Sequence, residues 1–168
     1  TPLLDKTPNH GANEAIRDTA LRVLADWPDP AASPALLDLA KTSDNAKHKI
    51  LALRGFIRLI ARSEAAADQK LAMCKEAMNL AQRDEEKKLV LGALGGVPLA
   101  DALAIVVPHL DAGAMKDEAS AAAVSIAEKI AGSHPAPVTQ AMNRVLEATT
   151  NQDLQQRARR VLLQTQGK

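Results

Sequence analysis

Three arginines of one predicted helix are the residues whose type and spacing point most directly to chemistry. Arg54, Arg58 and Arg62 follow one another at intervals of four residues, which places their guanidinium groups along one side of a helix. In the alignment of internal repeats described below, Arg22 lies above Arg54. Guanidinium groups bind carboxylates through paired hydrogen bonds that an ammonium group does not match. We therefore predict a binding site for an acidic partner segment at Arg22, Arg54, Arg58 and Arg62.

The same arginines have a second interpretation, in which their role is internal. Acidic side chains of adjacent helices, Asp18 or Glu86 among them, could occupy the guanidinium groups. The arginines would then hold helices together instead of binding a partner. The sequence leaves both interpretations open.

No other group of residues has the spacing of a catalytic, metal or cofactor site. The sequence has no phosphate-binding glycine loop before a helix, no His-Glu-x-x-His pair and no Gly-x-Ser-x-Gly elbow. The acidic runs 84–86 and 117–118 begin predicted helices, where carboxylates favour the positive end of the helix dipole. The single cysteine, Cys74, is expected to be a small buried residue. We therefore predict no catalytic residue, no metal and no cofactor.

The composition favours a helical domain of ordinary globular type. Of 168 residues, 46% are hydrophobic and 24% charged, with one Phe, one Trp and no Tyr, a bias toward helices and away from sheets. The net charge of +1 gives no field that attracts nucleic acid, and no apolar run could cross a bilayer. Neither nucleic acid nor a membrane is therefore an expected partner. Because the chain begins at Thr1 without methionine, we expect a processed protein or an excised domain.

Helical periodicity predicts nine helices. Residues 1–12 hold two prolines and a glycine without an apolar period and are predicted to be an extended arm, whereas 13–168 form the helical domain. Asn13 is predicted to cap the first helix, and Trp27 is expected in the core at its end. The third helix, 47–62, has two apolar rows. Four of its residues are predicted to be among the most buried: Leu53, Phe56, Ile57 and Ile60.

Local signals set the ends of other helices. Ser33 precedes Pro34 and is predicted to cap the second helix. Residues 103–110 are predicted to form a continuous sixth helix. Asn151 is predicted to open the ninth.

Five of the predicted helices carry a repeated segment of small and apolar residues. The segments begin at positions 20, 52, 90, 122 and 158, which are 32, 38, 32 and 36 residues apart. Irregular periods of this length, each holding two antiparallel helices, are typical of an α-solenoid. We therefore predict an all-α fold, a right-handed solenoid of about nine antiparallel helices.

Three segments resemble the core of the HEAT repeat, in which an apolar residue and an arginine begin the second helix of each pair and an alanine follows three residues after the arginine. They are Ile16-Arg17-Asp18-Thr19-Ala20, His48-Lys49-Ile50-Leu51-Ala52 and Leu154-Gln155-Gln156-Arg157-Ala158. The repeats at Val90 and Ala122 depart from the pattern by losing the apolar residue or the arginine. The stretch 25–56 also resembles HEAT-like segments of large secreted bacterial proteins that carry sugar-processing domains. This second resemblance implies an exported or periplasmic location as part of a larger bacterial protein.

The resemblance implies a non-catalytic interaction or scaffold module that binds a protein segment on its concave face. The alternative is an enzyme resembling the HEAT-like DNA glycosylases, or a related nucleic-acid-binding module. Those enzymes use several aromatic residues and an aspartate in a basic groove, whereas this chain offers Trp27 with Asp26 and Asp29. Direct carbohydrate binding, a third class, also depends on aromatic faces.

Overall fold

The computed structural model describes the backbone of residues 9–166 and the side chains of residues 15–166. The described residues form two compact units, divided between Leu59 and Ile60. Within the described range there is no β-strand, which confirms the predicted all-α class. Nine α-helices lie there: α1 (Asn9–Asp26), α2 (Ser33–Thr42), α3 (Ala46–Arg62), α4 (Ala67–Leu80), α5 (Asp84–Leu94), α6 (Ala100–Val106), α7 (Lys116–Ile130), α8 (Pro135–Ala148) and α9 (Gln152–Gln166).

The first helix begins earlier than predicted. α1 starts at Asn9 and not after a cap at Asn13, so residues 9–12 are helical and do not belong to an extended arm. No proline stands between Pro8 and Pro28, so no residue of this stretch blocks the helix from extending toward its N-terminal side. The rest of the predicted arm, residues 1–8, lies outside the described residues.

Asparagine side chains cap two of the helices. At the start of α9, Oδ1 of Asn151 accepts hydrogen bonds from the N–H groups of Asp153 and Leu154 at 3.0 and 3.3 Å, as predicted. At the start of α3, Oδ1 of Asn45 accepts from the N–H of Lys47 at 2.9 Å. These carbonyl oxygens satisfy amide groups that have no partner inside the helix.

Prolines move two helix boundaries from their predicted places. Ser33 is the first residue of α2 and not its cap, because a 3-10 turn, Pro30–Ala32, leads directly into the helix. The predicted sixth helix is divided. α6 ends at Val106 and a 3-10 turn, Val107–Asp111, follows it, because Pro108 lacks the N–H that would continue the α-helical bonding.

In the first unit, α1 and α3 run parallel and in close contact. His48 of α3 contacts Asp18 of α1. Two turns further along both helices, Gly55 packs on Ala25: a Cβ atom added at position 55 would lie 2.9 Å from the Cα of Ala25. The absence of a side chain at Gly55 therefore lets the two backbones approach closely.

In the second unit, α7 is the central helix and contacts α5, α6, α8 and α9. Four of its alanines are buried: Ala119, Ala122, Ala123 and Ala127. Their small side chains allow neighbouring helices to approach from several sides. The other contacts of this unit join helices that are adjacent or next but one in the sequence, such as α4 with α5, α6 with α8, and α8 with α9.

The third helix carries much of the buried apolar surface, as predicted. Leu53, Phe56, Ile57 and Ile60 are each at most 4% exposed, which confirms their place among the most buried residues. Among the residues that the structure describes, no helix has both the length and the apolar character needed to cross a membrane.

Candidate functional site

Arg58, a member of the predicted arginine site, is already engaged inside the first unit. Its Nη1 donates a hydrogen bond to Oδ1 of Asp26 at 2.6 Å, and its Nη2 donates to the carbonyl oxygen of Ala25 at 2.7 Å. Both acceptors belong to the last turn of α1, where carbonyl groups have no donor within the helix. Arg58 thus caps α1, while 39% of its side chain stays exposed.

The other arginines of the predicted site differ in exposure and position. Arg22 and Arg62 are exposed, and Arg54 is half-buried. Arg22 lies one turn before Asp26, and Arg54 lies one turn before Arg58. Because α1 and α3 run parallel, the Asp26–Arg58 ion pair places Arg22 and Arg54 on neighbouring turns. Arg22, Arg54 and Arg58 lie in the first unit, whereas Arg62 ends α3 and belongs to the second unit.

The two carboxylates considered as internal partners of these arginines each contact another basic side chain. Asp18 binds His48, and Glu86, which is 1% exposed, pairs with Arg83 at the start of α5, with 3.1 Å between Nε and Oε2. The hydrogen bond from His48 lowers the pKa of Asp18 below its usual value, and the charge of Arg22 acts in the same direction. On the arginine row itself, Asp26 is the carboxylate that pairs with Arg58.

An apolar surface on α1 is the feature that the sequence reasoning missed. This apolar stripe is formed by Ile16, Ala20 and Val23 of α1 together with Trp27, which directly follows the helix and continues its spacing. All four are exposed, with 66% of Ile16, 54% of Val23 and 53% of Trp27 accessible to solvent. The expectation that Trp27 lies in the core is wrong. The buried side of α1 is formed by Leu21 and Ala25, and Ala25 lies where α1 meets Gly55 of α3.

Two surface depressions lie at the ends of the apolar stripe. One, of about 430 Å³, is bordered by Ile16, Thr19 and Ala20. The other, of about 540 Å³, is bordered by Val23, Trp27 and the following 3-10 turn. Both are shallow and open to solvent, and their borders are mostly apolar.

A third depression lies between α1 and the turn before α3. It has a volume of about 700 Å³ and combines the apolar Leu21 with Arg17, Asp44 and His48 at its border. His48 is already bound to Asp18. Among the described residues there is no group of three or more His, Cys, Asp or Glu side chains arranged to hold a metal ion.

The carboxylates beside Trp27, which the glycosylase alternative would use, are both engaged in structural contacts. Asp26 holds Arg58, and Oδ1 of Asp29 accepts a hydrogen bond from the N–H of Ala31 at 2.9 Å. In the second unit, Cys74 is buried, and burial raises the pKa of its thiol to about 11. A thiol with such a pKa is a poor nucleophile at neutral pH.

Comparison with known proteins gives no relative from which a role could be transferred. No protein-family model matches this chain, and neither does any curated protein or any solved structure.

Proposed function

We propose that this chain is a non-catalytic protein-binding module, a HEAT-like right-handed α-solenoid within a larger protein, that holds an acidic segment of a partner at Arg22, Arg54 and Arg58. The observation that carries this proposal is the parallel register of α1 and α3. The Asp26–Arg58 pair aligns the two helices so that Arg22 and Arg54 occupy neighbouring turns. Two guanidinium groups at this spacing offer donors to one carboxylate or to two successive ones.

The solenoid arrangement is supported by the separation of the residues that bridge helices. Five polar contacts, each within one of the two units, join residues 29 to 34 positions apart. They are Asp18 with His48, Asp26 with Arg58, the Gly95 carbonyl with Lys129, Asp111 with Arg144, and Glu128 with Arg157. Repeats that contact only their nearest neighbours produce contacts of this kind, at about one repeat length.

A binding measurement with a short poly-glutamate peptide tests the acidic-segment proposal. We expect the wild type to bind the peptide at low ionic strength and to lose affinity as salt is added. Arg22→Gln should weaken binding about fivefold, since an exposed ion pair contributes about 1 kcal/mol. Arg159→Gln removes the same charge from an exposed position of α9 in the second unit and should leave binding unchanged.

Two results would contradict the proposal. One is a wild type that does not bind the peptide even at low salt. The other is an equal loss of affinity in Arg22→Gln and Arg159→Gln. That result would mean that peptide binding depends only on the net charge of the chain. Circular dichroism of both variants controls for the fold.

A further inference from the structure

The apolar stripe of α1 is unusual for a helix that faces solvent. Its four residues include the single tryptophan of the chain, and all of them are exposed. The exposed side of α9 in the second unit has a different character: Gln156, Arg159 and Arg160 surround one apolar residue, Leu163. A polar exposed side is what ends a helical array in water, and a contiguous apolar one marks a surface that another helix covers. We propose that the apolar stripe binds the apolar stripe of a second copy of this chain, with the two α1 helices antiparallel.

The spacing of the stripe is self-complementary for this arrangement. Its intervals of four, three and four residues read the same in both directions along the helix. A twofold axis midway between positions 21 and 22 places Ile16 opposite Trp27 of the second copy and Ala20 opposite Val23. The pair thus has two outer layers of large residues, Ile16 against Trp27, and two inner layers of smaller ones, Ala20 against Val23, as in the layered packing of antiparallel helices. A twofold contact also closes on itself, so the assembly stops at a dimer.

The two depressions at the ends of the stripe fit the same register. Trp27 of one copy faces the depression beside Ile16 and Thr19 of the other. Ile16 of that copy faces the depression beside Val23 and Trp27. Both depressions are thus filled by the twofold contact, and the largest exposed apolar side chains of α1 leave water together.

The charges that flank the stripe are compatible with this pairing. Arg17 lies on one side of the stripe, in the same row as Leu24, and Asp26 lies on the other side, in the same row as Thr19. In the antiparallel register, Arg17 faces Leu24 of the second copy and Asp26 faces Thr19. Among the described residues, these two flanking charges therefore do not meet a like charge of the second copy. A second copy is therefore an occupant that matches the stripe in spacing, shape and charge.

Sedimentation equilibrium of the chain tests the dimer directly. The surface is one helix wide, so we expect a weak association, with the mean mass rising from 17.8 kDa toward twice that value between about 1 µM and 1 mM. Val23→Glu places a charge in the middle of the stripe and should hold the chain at 17.8 kDa over this range. Leu163→Glu makes the same type of change at a residue of α9 that is 70% exposed and should dimerise as the wild type does.

A mixing experiment tests the antiparallel register. Ala20→Lys and Val23→Glu should each be monomeric alone, because each buries a charge without a partner. In an equimolar mixture, the lysine introduced at position 20 of one chain faces the glutamate introduced at position 23 of the other. In the symmetry-related layer, the unchanged Val23 of the first chain faces the unchanged Ala20 of the second chain. The mixture should therefore regain the dimer mass.

Every other outcome overturns the proposal. If the wild type stays monomeric up to about 1 mM, the stripe does not bind a second copy. Its partner is then a helix of a different protein or of another part of the polypeptide. A dimer that Val23→Glu does not dissolve uses a different surface. A mixture that stays monomeric while the wild type dimerises excludes the antiparallel register.

Discussion

Gly55 is the residue that sets how closely α1 and α3 approach in the first unit. A Cβ atom at this position would lie 2.9 Å from the Cα and 3.0 Å from the Cβ of Ala25. Both are atoms of the helix itself or attached directly to it, so they cannot move aside as the end of a flexible side chain can. The contact also holds Arg58 within reach of the end of α1, so the geometry of the arginine row depends on this glycine.

Substituting Gly55 measures the importance of this approach. Gly55→Ala should destabilise the protein by about 1–3 kcal/mol, because the added methyl group forces the helices apart. Gly92→Ala is the matched control, since a Cβ at that helical position would meet nothing within 4 Å apart from its chain neighbours and the backbone of its own helix. The control should gain about 0.5–1 kcal/mol through reduced backbone entropy of the unfolded chain. Urea unfolding gives the free energy of unfolding of each variant. A Gly55→Ala variant as stable as Gly92→Ala would contradict the close contact between α1 and α3.

The ion pair between Glu128 of α7 and Arg157 of α9 gives a pH-dependent prediction. Nε and Nη2 of Arg157 donate to the two carboxylate oxygens at 2.9 and 2.8 Å, and these hydrogen bonds are the main cause of a lowered pKa of Glu128. A carboxylate whose pKa is lowered by folding adds stability above its unfolded pKa, and that stability is lost as the pH falls through its folded pKa. Because the usual value is 4.5, the loss should occur below pH 4.5.

Comparing Glu128→Gln with the wild type isolates this pair. At pH 7 the variant should be less stable by about 0.5–1 kcal/mol, the range for a partly exposed pair. The difference should vanish as the wild-type carboxylate is protonated. Glu147→Gln, at an exposed position of α8, should stay within about 0.5 kcal/mol of the wild type at either pH. A difference at pH 7 that persists undiminished at pH 3 would mean that packing, and not charge, is responsible.

At the scale of the element, α3 tests how much one helix contributes to the core. Phe56 is 2% exposed and is the largest of the fully buried side chains. Phe56→Ala should cost about 3–5 kcal/mol, since the cavity adds to the lost transfer free energy. Leu163→Ala, at a residue that is 70% exposed, should change stability by less than about 0.5 kcal/mol. A cost below about 1 kcal/mol for Phe56→Ala would show that α3 lies at an edge of the fold.

Helices with one strong apolar pattern were predictable from the sequence, because an apolar period of 3.6 residues indicates a helix whatever surrounds it. The burial of Phe56 and its neighbours in α3 follows from this period. The division of α6 from the turn at Val107–Asp111 was missed, since the apolar period continues through Pro108 while the backbone bonding cannot.

The orientation of α1 was not predictable in the same way. One side of the helix carries Ile16 and Val23 in line with Trp27, and the other side carries Leu21 and Ala25. The size of Trp27 favours burying the first side, but the close approach of Ala25 to Gly55 turns the second side toward α3. The partner of Arg58 was missed for a related reason, because the register between two helices distant in the sequence depends on how they pack.

At the scale of the whole molecule, the arrangement of contacts bears on how the chain unfolds. Within the second unit, α4 packs on α5, and α9 packs on α7 and α8. In a solenoid, stability is approximately a sum of repeat and nearest-neighbour terms, so a lost contact weakens its own repeat first. In a single cooperative core, by contrast, the amide groups of every helix lose their protection from hydrogen exchange together.

Hydrogen exchange of two matched variants separates these behaviours. Leu71 of α4 and Leu154 of α9 are 6% and 7% exposed, and alanine at either should cost about 2–5 kcal/mol. Because the proposed solenoid couples only neighbours, Leu154→Ala should speed amide exchange in α8 and α9 and leave α4 and α5 protected. Leu71→Ala should do the reverse. If both variants instead lower protection equally from α4 to α9, the second unit unfolds as one cooperative core, and the nearest-neighbour arrangement proposed for this chain would be wrong.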